Sequence, residues 1–478
     1  MWTLLALAAC GPAPIRDVTL EEGVARGTAE VRFTTRLSGE AFVRFTEADD
    51  DVEDPVYTET ARVDAASGRV LVVGLPRNEV EYEVVLVDDR GREHRSQTQR
   101  APVSGPVGSV LAFEQTVWAP DEACDPGGAV LLSYLTGEQN GIGLVDRAGR
   151  WLYSLERPAV YQIGRVRAGR DGRSLLFNLS DTAKAEDVGV VERIDLLGRP
   201  LSTTRTVWGH HDFVETPEGD IAWLGYDLRD VEAPPNTPPR DNPEITGTVC
   251  IAADTLVVGP EGGLEGDETV LWDTWEDYPP GVDHIPTDSI SCGRDGCEPA
   301  FLRNGCYEYG HANSLARVDS EGAYYFNLRW LDAAMKASEA GDLQWVWGGA
   351  GSDFALDPAT AFEGMHFSEV RPGRLLAFDN RNPDVGSRVV EYAFDDTGYR
   401  QVWEHEDPDG TYEHILGDAR WFPIEGCDNV LVSWSGQGKL QELTPAGKVV
   451  WELQGTGTTS RVTWVPDVYD LSGLAYPE

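Results

Sequence analysis

The sequence predicts an all-β protein in which a small β-sandwich precedes a β-propeller. The composition is rich in turn formers and in tryptophan, with 51 Gly, 29 Pro and 15 Trp, and this is typical of many short strands joined by tight turns. Hydrophobic and polar residues alternate with period two in the first part of the chain, and short turn-strand units recur after it. A length of 478 residues exceeds what one core usually supports, so two domains are expected.

The sandwich is predicted over residues 17–103. Segments such as 29–33, 41–45 and 82–87 alternate as half-buried antiparallel strands do. The stretch 74–82 is similar to the segment that enters a late strand of fibronectin type III domains. The prediction is therefore a fibronectin III-like or immunoglobulin-like sandwich, followed by a Pro- and Gly-containing linker.

The propeller is predicted over residues 104–478, because three units of one kind each place a histidine just before a turn and a strand. The three motifs are His210-His211-Asp212-Phe213, His311-Ala312-Asn313-Ser314 and Met365-His366-Phe367-Ser368. If the units are arranged radially, these histidines gather around one axis. Residues 233–306 are rich in Pro, Gly, Asp and Cys and poor in strand signals, so an insertion over one face of the propeller is expected there.

The charge excludes some partners. The chain has 81 acidic and 39 basic residues and a formal net charge of −42. Such a surface repels phosphate backbones and anionic lipids, so no nucleic acid partner is expected. An anionic substrate would need a local concentration of positive charge.

The first residues predict export. Residues 1–16 are interpreted as a signal segment and tether, because Leu7-Ala8-Ala9-Cys10 resembles a bacterial lipobox, although no basic residue precedes it. Cys10 would then carry a lipid anchor, and this anchor would be the sole membrane contact of a periplasmic or outer-membrane protein. The alternative is an ordinary frayed N-terminus.

The remaining cysteines fit an oxidising compartment. Besides Cys10 there are six, which is compatible with disulfides of undetermined pairing. The group Cys292, Cys297 and Cys306 could instead bind zinc, but the spacing is not of the paired type and no metal is predicted.

The clustered imidazoles indicate a reactive centre. Several histidines around one axis are costly to protonate together, so at least one should be neutral and act as a metal ligand or as a nucleophile. A metal site would need supporting carboxylates, and Asp212 is the one acid next to a motif histidine. Arg329 closes the strand after His311 and suits a sulfate or phosphate, whose oxygens Asn313 could also bind.

Several motifs together resemble the bacterial arylsulfate sulfotransferases. They are the three histidine motifs, Arg329, Trp345-Val346-Trp347-Gly348-Gly349, Leu376-Ala377-Phe378-Asp379-Asn380, Ser387-Arg388-Val389-Val390-Glu391-Tyr392 and Gly417-Asp418-Ala419-Arg420. The resemblance covers roughly residues 110 to 455 and keeps the order and spacing of independent motifs. The chain departs from the family at Met365 and Trp330, where polar residues would be expected.

The resemblance implies a six-bladed propeller that moves a sulfuryl group from a phenolic sulfate to a phenol without a nucleotide sulfate donor or any cofactor. His366 would be the nucleophile that forms a sulfohistidine. His311, Asn313 and Arg329 would hold the sulfate oxygens, and His211 or His210 would assist.

Other interpretations stay open. Arg420 could bind substrate in the channel or pack on Trp421. The propeller could be an inactive module that binds a ligand or a protein on the cell envelope, or a metal-dependent hydrolase or lyase. A homodimer is also expected, and the natural donor and acceptor stay undetermined.

Overall fold

The chain folds into two compact units. The computed structural model describes residues 13–47, 57–76, 78–106, 111–135, 139–158, 161–181, 189–232, 248–279, 306–349, 351–355, 357–395, 397–472 and 474. One unit is formed by residues before 107 together with the short pieces Trp151–Leu155 and Leu196–Arg199, and the other by the rest of the chain.

The first unit contains two antiparallel sheets. Its strands are β1 Ile15–Glu22, β2 Thr28–Thr35, β3 Gly39–Glu47, β4 Tyr57–Thr58, β5 Ala61–Val63, β6 Ser67–Val73, β7 Asn78–Asp88, β8 Glu93–Arg95 and β9 Gln99–Val103. One sheet has the order β1-β2-β6-β4, and the other has the order β5-β3-β7-β8 with β9 also paired to β7. Inward-facing residues of both sheets, among them Val31, Val70, Val43 and Val84, form one buried cluster. This is the packing of a β-sandwich.

The second unit is built from short strands, one of which has its first residues, Trp151–Leu155, assigned to the first unit. They are β10 Phe113–Trp118, β11 Ala129–Leu135, β12 Gln139–Asp146, β13 Trp151–Pro158, β14 Tyr161–Ala168, β15 Ser174–Asp181, β16 Gly189–Asp195, β17 Pro200–Thr206, β18 His210–Glu215, β19 Ile221–Glu232, β20 Thr248–Gly259, β21 Thr269–Asp273, β22 Tyr307–Tyr309, β23 Ala312–Val318, β24 Ala323–Leu328, β25 Ala333–Ser338, β26 Leu343–Gly348, β27 His366–Arg371, β28 Arg374–Asp379, β29 Arg388–Asp395, β30 Gly398–Glu406, β31 Asp418–Trp421, β32 Val430–Trp434, β33 Lys439–Leu443, β34 Val449–Gly455 and β35 Thr458–Val465. A four-residue helix, α1 Thr274–Asp277, and three single 3-10 turns, Asp319–Glu321, Arg329–Leu331 and Ser435–Gln437, complete the described elements.

These strands form the blades of a propeller. The sheet orders are β35-β11-β12-β13, β14-β15-β16-β17, β18-β19-β20-β21, β23-β24-β25-β26, β27-β28-β29-β30 and β31-β32-β33-β34-β10. The first strand of each order is the inner one, and each inner strand contacts its two neighbours in a closed ring. The last strand, β35, joins the sheet of β11, which closes the ring between the two ends of this unit. The predicted fold class, a six-bladed propeller preceded by a β-sandwich, is confirmed.

The core of the propeller lies between adjacent blades. One buried cluster joins the blade of β18 to the blade of β23, a second joins the blade of β23 to that of β27, and a third joins the blade of β27 to that of β31. Trp347 shows why tryptophan recurs at strand ends: it is 2% exposed, and its ring lies 5.3 Å from that of Phe362 and 4.7 Å from that of Tyr392 on the next blade. Large flat side chains fill the wedge between two twisted sheets.

The expected insertion is wrong over residues 248–273. Instead of an excursion, these residues form β20 and β21 of the third blade, and β20 pairs with β19 along twelve consecutive residues. Residues 274–279, which include α1, follow directly. The parts 233–247 and 280–305 of the predicted insertion lie outside the described residues, as do Cys10, Cys292 and Cys297.

The described part of the propeller contains two disulfides. Cys124 pairs with Cys427 and Cys250 pairs with Cys306. Because Cys306 is bonded to Cys250, the zinc group that would include Cys306 is wrong. No helix in the described parts of the chain combines the length and the apolar character needed to span a membrane.

Candidate active site

The histidine motifs occupy equivalent positions at the start of the inner strands. In each motif the strand pairing shifts register directly after the first residues, as at a β-bulge, between His210 and Phe213, between Ala312 and Leu315 and between His366 and Ser368. His211 and His311 also adopt left-handed backbone conformations, with φ of 49° and 55°. Bulges redirect side chains, and strained backbone of this kind costs about 1–3 kcal/mol per residue and clusters at functional sites.

Three histidines contact one another in a row at the end of the channel where the inner strands begin. The Nδ1 atoms of His210 and His211 lie 2.8 Å apart, so one donates to the other. The ring of His211 lies 4.6 Å from that of His311 in an edge contact. Behind them, Tyr226 stacks on His210 at 3.8 Å. Although His210 and His311 are 101 positions apart in the numbering, the ring of blades brings them together.

Two buried carboxyl groups support these histidines. Glu308 Oε1 lies 2.7 Å from His311 Nδ1 and accepts a hydrogen bond from the Tyr226 hydroxyl. Asp254 Oδ1 accepts from the backbone N–H of Ala312 at 2.7 Å and lies 3.6 Å from His210 Nε2. Glu308, Asp254 and Tyr226 carry no signal in the sequence that marks them as site residues, because they lie outside the three histidine motifs.

Gly310 shows how closely this region is packed. Its φ is 90°, and a Cβ at this position would lie 2.2 Å from Asp254 Oδ2. Only glycine combines this backbone conformation with this approach.

His366 is oriented by Asn380. The amide nitrogen of Asn380 donates to the carbonyl oxygens of Glu413 at 2.6 Å and Leu416 at 3.0 Å. Its oxygen therefore faces His366, whose Nδ1 lies 2.5 Å away. Since an amide oxygen only accepts, Nδ1 carries the proton and Nε2 of the neutral ring carries the lone pair.

Arg329 lies beside this imidazole. Its Nε is 3.1 Å from His366 Nδ1, where it acts as a neighbouring positive charge, since that nitrogen already donates to Asn380. Its Nη2 donates to the carbonyl of His414 at 2.8 Å, and its guanidinium lies 4.2 Å from the ring of Trp330. Trp330 also lies 4.7 Å from His311 and donates to Glu308 at 3.5 Å. The indole ring of Trp330 thus packs against both Arg329 and His311.

The electrostatics keep the imidazoles of His210, His211 and His366 neutral. Burial, together with the charges of Arg329 and His311, lowers the pKa of His366 well below its ordinary value. Burial also lowers the pKa of His210 to about 3, and burial with His311 nearby lowers that of His211 well below its ordinary value. Neutral imidazoles next to a fixed cation are able to act as nucleophiles or bases at neutral pH.

The two carboxyl groups differ in charge. Burial opposes ionisation of Glu308, but the charge and hydrogen bond of His311 and the hydrogen bond of Tyr226 outweigh it and lower the pKa to about 2. Burial raises the pKa of Asp254 well above its ordinary value. Burial lowers the pKa of Arg329 to about 10, so this guanidinium is still charged at neutral pH. A fixed cation and one ionised carboxylate therefore flank neutral histidines.

Asn313 and Arg420 do not lie where substrate-binding residues were expected. Asn313 is fully buried, and its amide donates to the carbonyl of Met365 at 3.3 Å, so it positions the strand of His366. Arg420 pairs with Asp418 at 3.3 Å and lines a cavity with residues from the far ends of the inner strands. The prediction that Arg420 binds substrate together with the histidines is wrong. Arg420 is the third residue of β31, whereas the histidines lie just before or within the first two residues of their own inner strands.

The described residues hold no group of three or more His, Cys, Asp or Glu side chains arranged to bind a metal ion.

Comparison with known proteins leaves the activity unassigned. No family model and no curated protein matches the chain. Among solved structures, a Bacteroides thetaiotaomicron protein of unknown function is 11% identical, with 92% of this chain and 98% of that chain covered and a TM-score of 0.33. A chain of a nidogen/laminin complex is 11% identical, with 71% and 98% covered and a TM-score of 0.40. The streptogramin B lyase is 11% identical, with 71% and 86% covered and a TM-score of 0.36.

Fold and site together define a class. The chain is a six-bladed β-propeller with a buried histidine-arginine cluster at one end of its channel. Propellers host many unrelated functions, so function has to be argued from the cluster itself.

Proposed function

We propose that the protein is an aryl sulfate sulfotransferase that moves a sulfuryl group from a phenolic sulfate ester to a phenol. The observation that carries this proposal is the contact of His366 with Asn380, which places the proton on Nδ1 and the lone pair on Nε2, in a ring whose Nδ1 lies 3.1 Å from Nε of Arg329. A neutral nucleophile beside a fixed cation is the arrangement that transfer of an anionic group needs.

The first half-reaction forms a sulfohistidine. The Nε2 lone pair of His366 attacks sulfur, the bond between sulfur and the phenolic oxygen breaks, and the phenolate leaves. Arg329 neutralises charge on the sulfuryl oxygens as they become equatorial. Sulfuryl transfer resembles phosphoryl transfer here, because positioning and charge neutralisation supply most of the catalysis.

The proton is handled by His311. With Glu308 beside its Nδ1, His311 supplies a proton to the leaving phenolate. In the second half-reaction the acceptor phenol gives its proton to His311 while its oxygen attacks sulfur, and the bond between sulfur and Nε2 of His366 breaks. His311 is 17% exposed and Arg329 is buried, so substrates approach from the side of His311. His211 and His210, whose imidazoles are neutral, lie next to His311 and extend the row of histidines.

The rest of the proposal concerns location and partners. Disulfides fit an exported protein, and a lipid anchor at Cys10 in the periplasm or at the outer membrane belongs to the proposal. The partners would be a small phenolic sulfate and a phenol. A homodimer stays a prediction.

The test is release of nitrophenolate from p-nitrophenyl sulfate in the presence of phenol. The wild-type protein should release it with and without a chelator, and His366→Asn should lower the rate at least about a thousandfold, as loss of a nucleophile does. His94→Asn, a histidine of the β-sandwich, is the matched control and should leave the rate unchanged.

Two outcomes would contradict the proposal. If no phenol acceptor supports nitrophenolate release, the protein is a binding propeller rather than a transferase. If a chelator abolishes the release, the histidines act through a metal ion.

A further inference from the structure

A second cluster of positive charge lies at the opposite end of the propeller channel. The histidine motifs stand at the first residues of the inner strands, whereas a cavity of about 60 Å³ is lined by residues from their later parts. The charged lining residues are Arg165, Arg167, Arg317, Arg420 and Glu369. A space of this size holds a few water molecules or one small ion.

Several guanidinium groups at this cavity are buried and incompletely paired. Arg165 is 2% exposed, and its Nε and Nη1 have no hydrogen-bond partner among the described residues. Arg420 is 8% exposed, and its Nη2 is likewise without one, as is Nε of Arg167. An unsatisfied buried donor costs about 1–3 kcal/mol, and more when it is charged. Three arginines that line the cavity thus carry buried donors without a hydrogen-bond partner among the described residues.

The carboxylates nearby do not balance these cations. Arg165 and Arg420 face Asp418 at 3.9 and 3.3 Å, whereas Arg167 and Arg461 both face Asp212. Four guanidinium groups therefore share two carboxylates. Arg317 is different, since Asp319 and Glu339 already pair with it.

Glu369 does not restore the balance. It accepts from the backbone N–H of Trp421 at 2.9 Å, and burial raises its pKa to about 7. Its negative charge is therefore partly lost at neutral pH, and Arg371 offsets the remainder.

We propose that this cavity is a binding site for a small inorganic oxyanion such as phosphate or sulfate, held by Arg165, Arg167 and Arg420. A tetrahedral oxyanion offers several acceptor oxygens that match the planar donor pairs of arginine. The site is separate from the histidine cluster and does not depend on the proposed reaction. A bound oxyanion would block the end of the channel opposite the histidine cluster.

The test is thermal unfolding of the full chain in a phosphate series at constant ionic strength, with potassium chloride as the compensating salt. A ligand that binds the folded state raises Tm in a saturable way. Arg420→Gln should raise the half-saturating phosphate concentration at least about tenfold. Exposed Arg173→Gln is the control and should leave it unchanged.

The histidine site could also bind phosphate, so Arg329→Gln is measured in parallel. The proposal predicts the same half-saturation in Arg329→Gln as in the wild type. It is overturned if phosphate adds nothing beyond chloride, or if the saturation depends on Arg329 and not on Arg420.

A crystal of the wild-type protein soaked in selenate reads the site directly, should Arg420→Gln fail to fold. An anomalous peak within hydrogen-bond distance of Arg165 and Arg420 is expected. The selenate concentration is chosen so that it gives the full increase in Tm of the wild-type protein. If the cavity shows no peak at that concentration, the proposal is overturned.

Discussion

Replacing Asn380 by aspartate should shift the pH dependence of sulfuryl transfer to higher pH. In the wild-type protein the pKa of His366 is far below its ordinary value, so protonation of this ring does not limit the rate near neutral pH. The Asn380 oxygen lies 2.5 Å from His366 Nδ1, and a carboxylate there would favour the charged imidazolium. Transfer needs the neutral ring, so the rate falls as pH drops through the raised pKa.

The expected shift follows from the geometry. Two unit charges about 4 Å apart interact by about 4 kcal/mol at an effective dielectric constant of about 20, which corresponds to about three pKa units. Arg329, whose Nε is 3.1 Å from the same ring nitrogen, would compete for the carboxylate. We therefore expect the acidic limb of the rate profile to move up by about one to two units.

The assay is nitrophenolate release from p-nitrophenyl sulfate across the pH range, with each variant normalised to its own maximum. Normalisation matters because aspartate cannot donate to the carbonyls of Glu413 and Leu416, so Asn380→Asp also lowers stability. Asn380→Ala is the control: its rate should fall without an upward shift of the acidic limb. An unshifted limb in Asn380→Asp would refute the assignment of Asn380 as the group that orients His366.

Three further predictions concern stability, and urea unfolding measures each of them. Trp347→Ala should cost about 3–5 kcal/mol, because it empties the wedge between two blades, whereas Trp118→Ala, at 39% exposure, should cost much less; equal costs would contradict the packing. Replacing Cys250 and Cys306 together by serine should lower stability by about 2–4 kcal/mol and remove sensitivity of this pair to reductant; an unchanged midpoint would contradict the pairing. Burial raises the pKa of Glu369 to about 7 from 4.5, so the folded state keeps a proton that the unfolded chain loses, and stability should fall as pH rises between these values. In Glu369→Gln the free energy of unfolding should fall by up to about 3 kcal/mol less over this pH range than in the wild type. The same pH dependence in both proteins would contradict the raised pKa of Glu369.

The fold was predictable because its signals are local. Period-two alternation marks the strands of the sandwich, and repeated turn-strand units with histidine-led turns mark the propeller, so both domains follow from the chain itself. The error over residues 248–273 has a physical reason. The strand β20 runs between long Pro- and Gly-rich segments, and its pairing with β19 spans 12 residues, a length that composition does not reveal.

The site was only partly predictable. The sequence indicated His211, His311, His366 and Arg329, since a radial repeat brings equivalent positions together. It could not indicate Glu308, which stands three residues before His311 and reaches its ring through a turn. Partners such as Asn380, which acts on His366 from the next strand of the same blade, depend on side-chain orientation rather than on a spacing in the chain.

The position of Arg420 along its strand was likewise not predictable from the sequence. A position two residues further along an inner strand moves a side chain about 6–7 Å down the channel, which is enough to leave one site and enter another. Position along the inner strands thus separates the histidine cluster from the arginine-lined cavity, where Arg420 pairs with Asp418.

The most direct measurement is the chemical state of His366 after brief reaction with an aryl sulfate and no acceptor. The peptide that contains His366 should carry the added mass of one SO₃ group, in an acid-labile form that disappears when phenol is added. An unmodified His366 peptide from protein that still transfers sulfuryl groups, or a modification on another histidine, would contradict the assignment of His366 as the nucleophile.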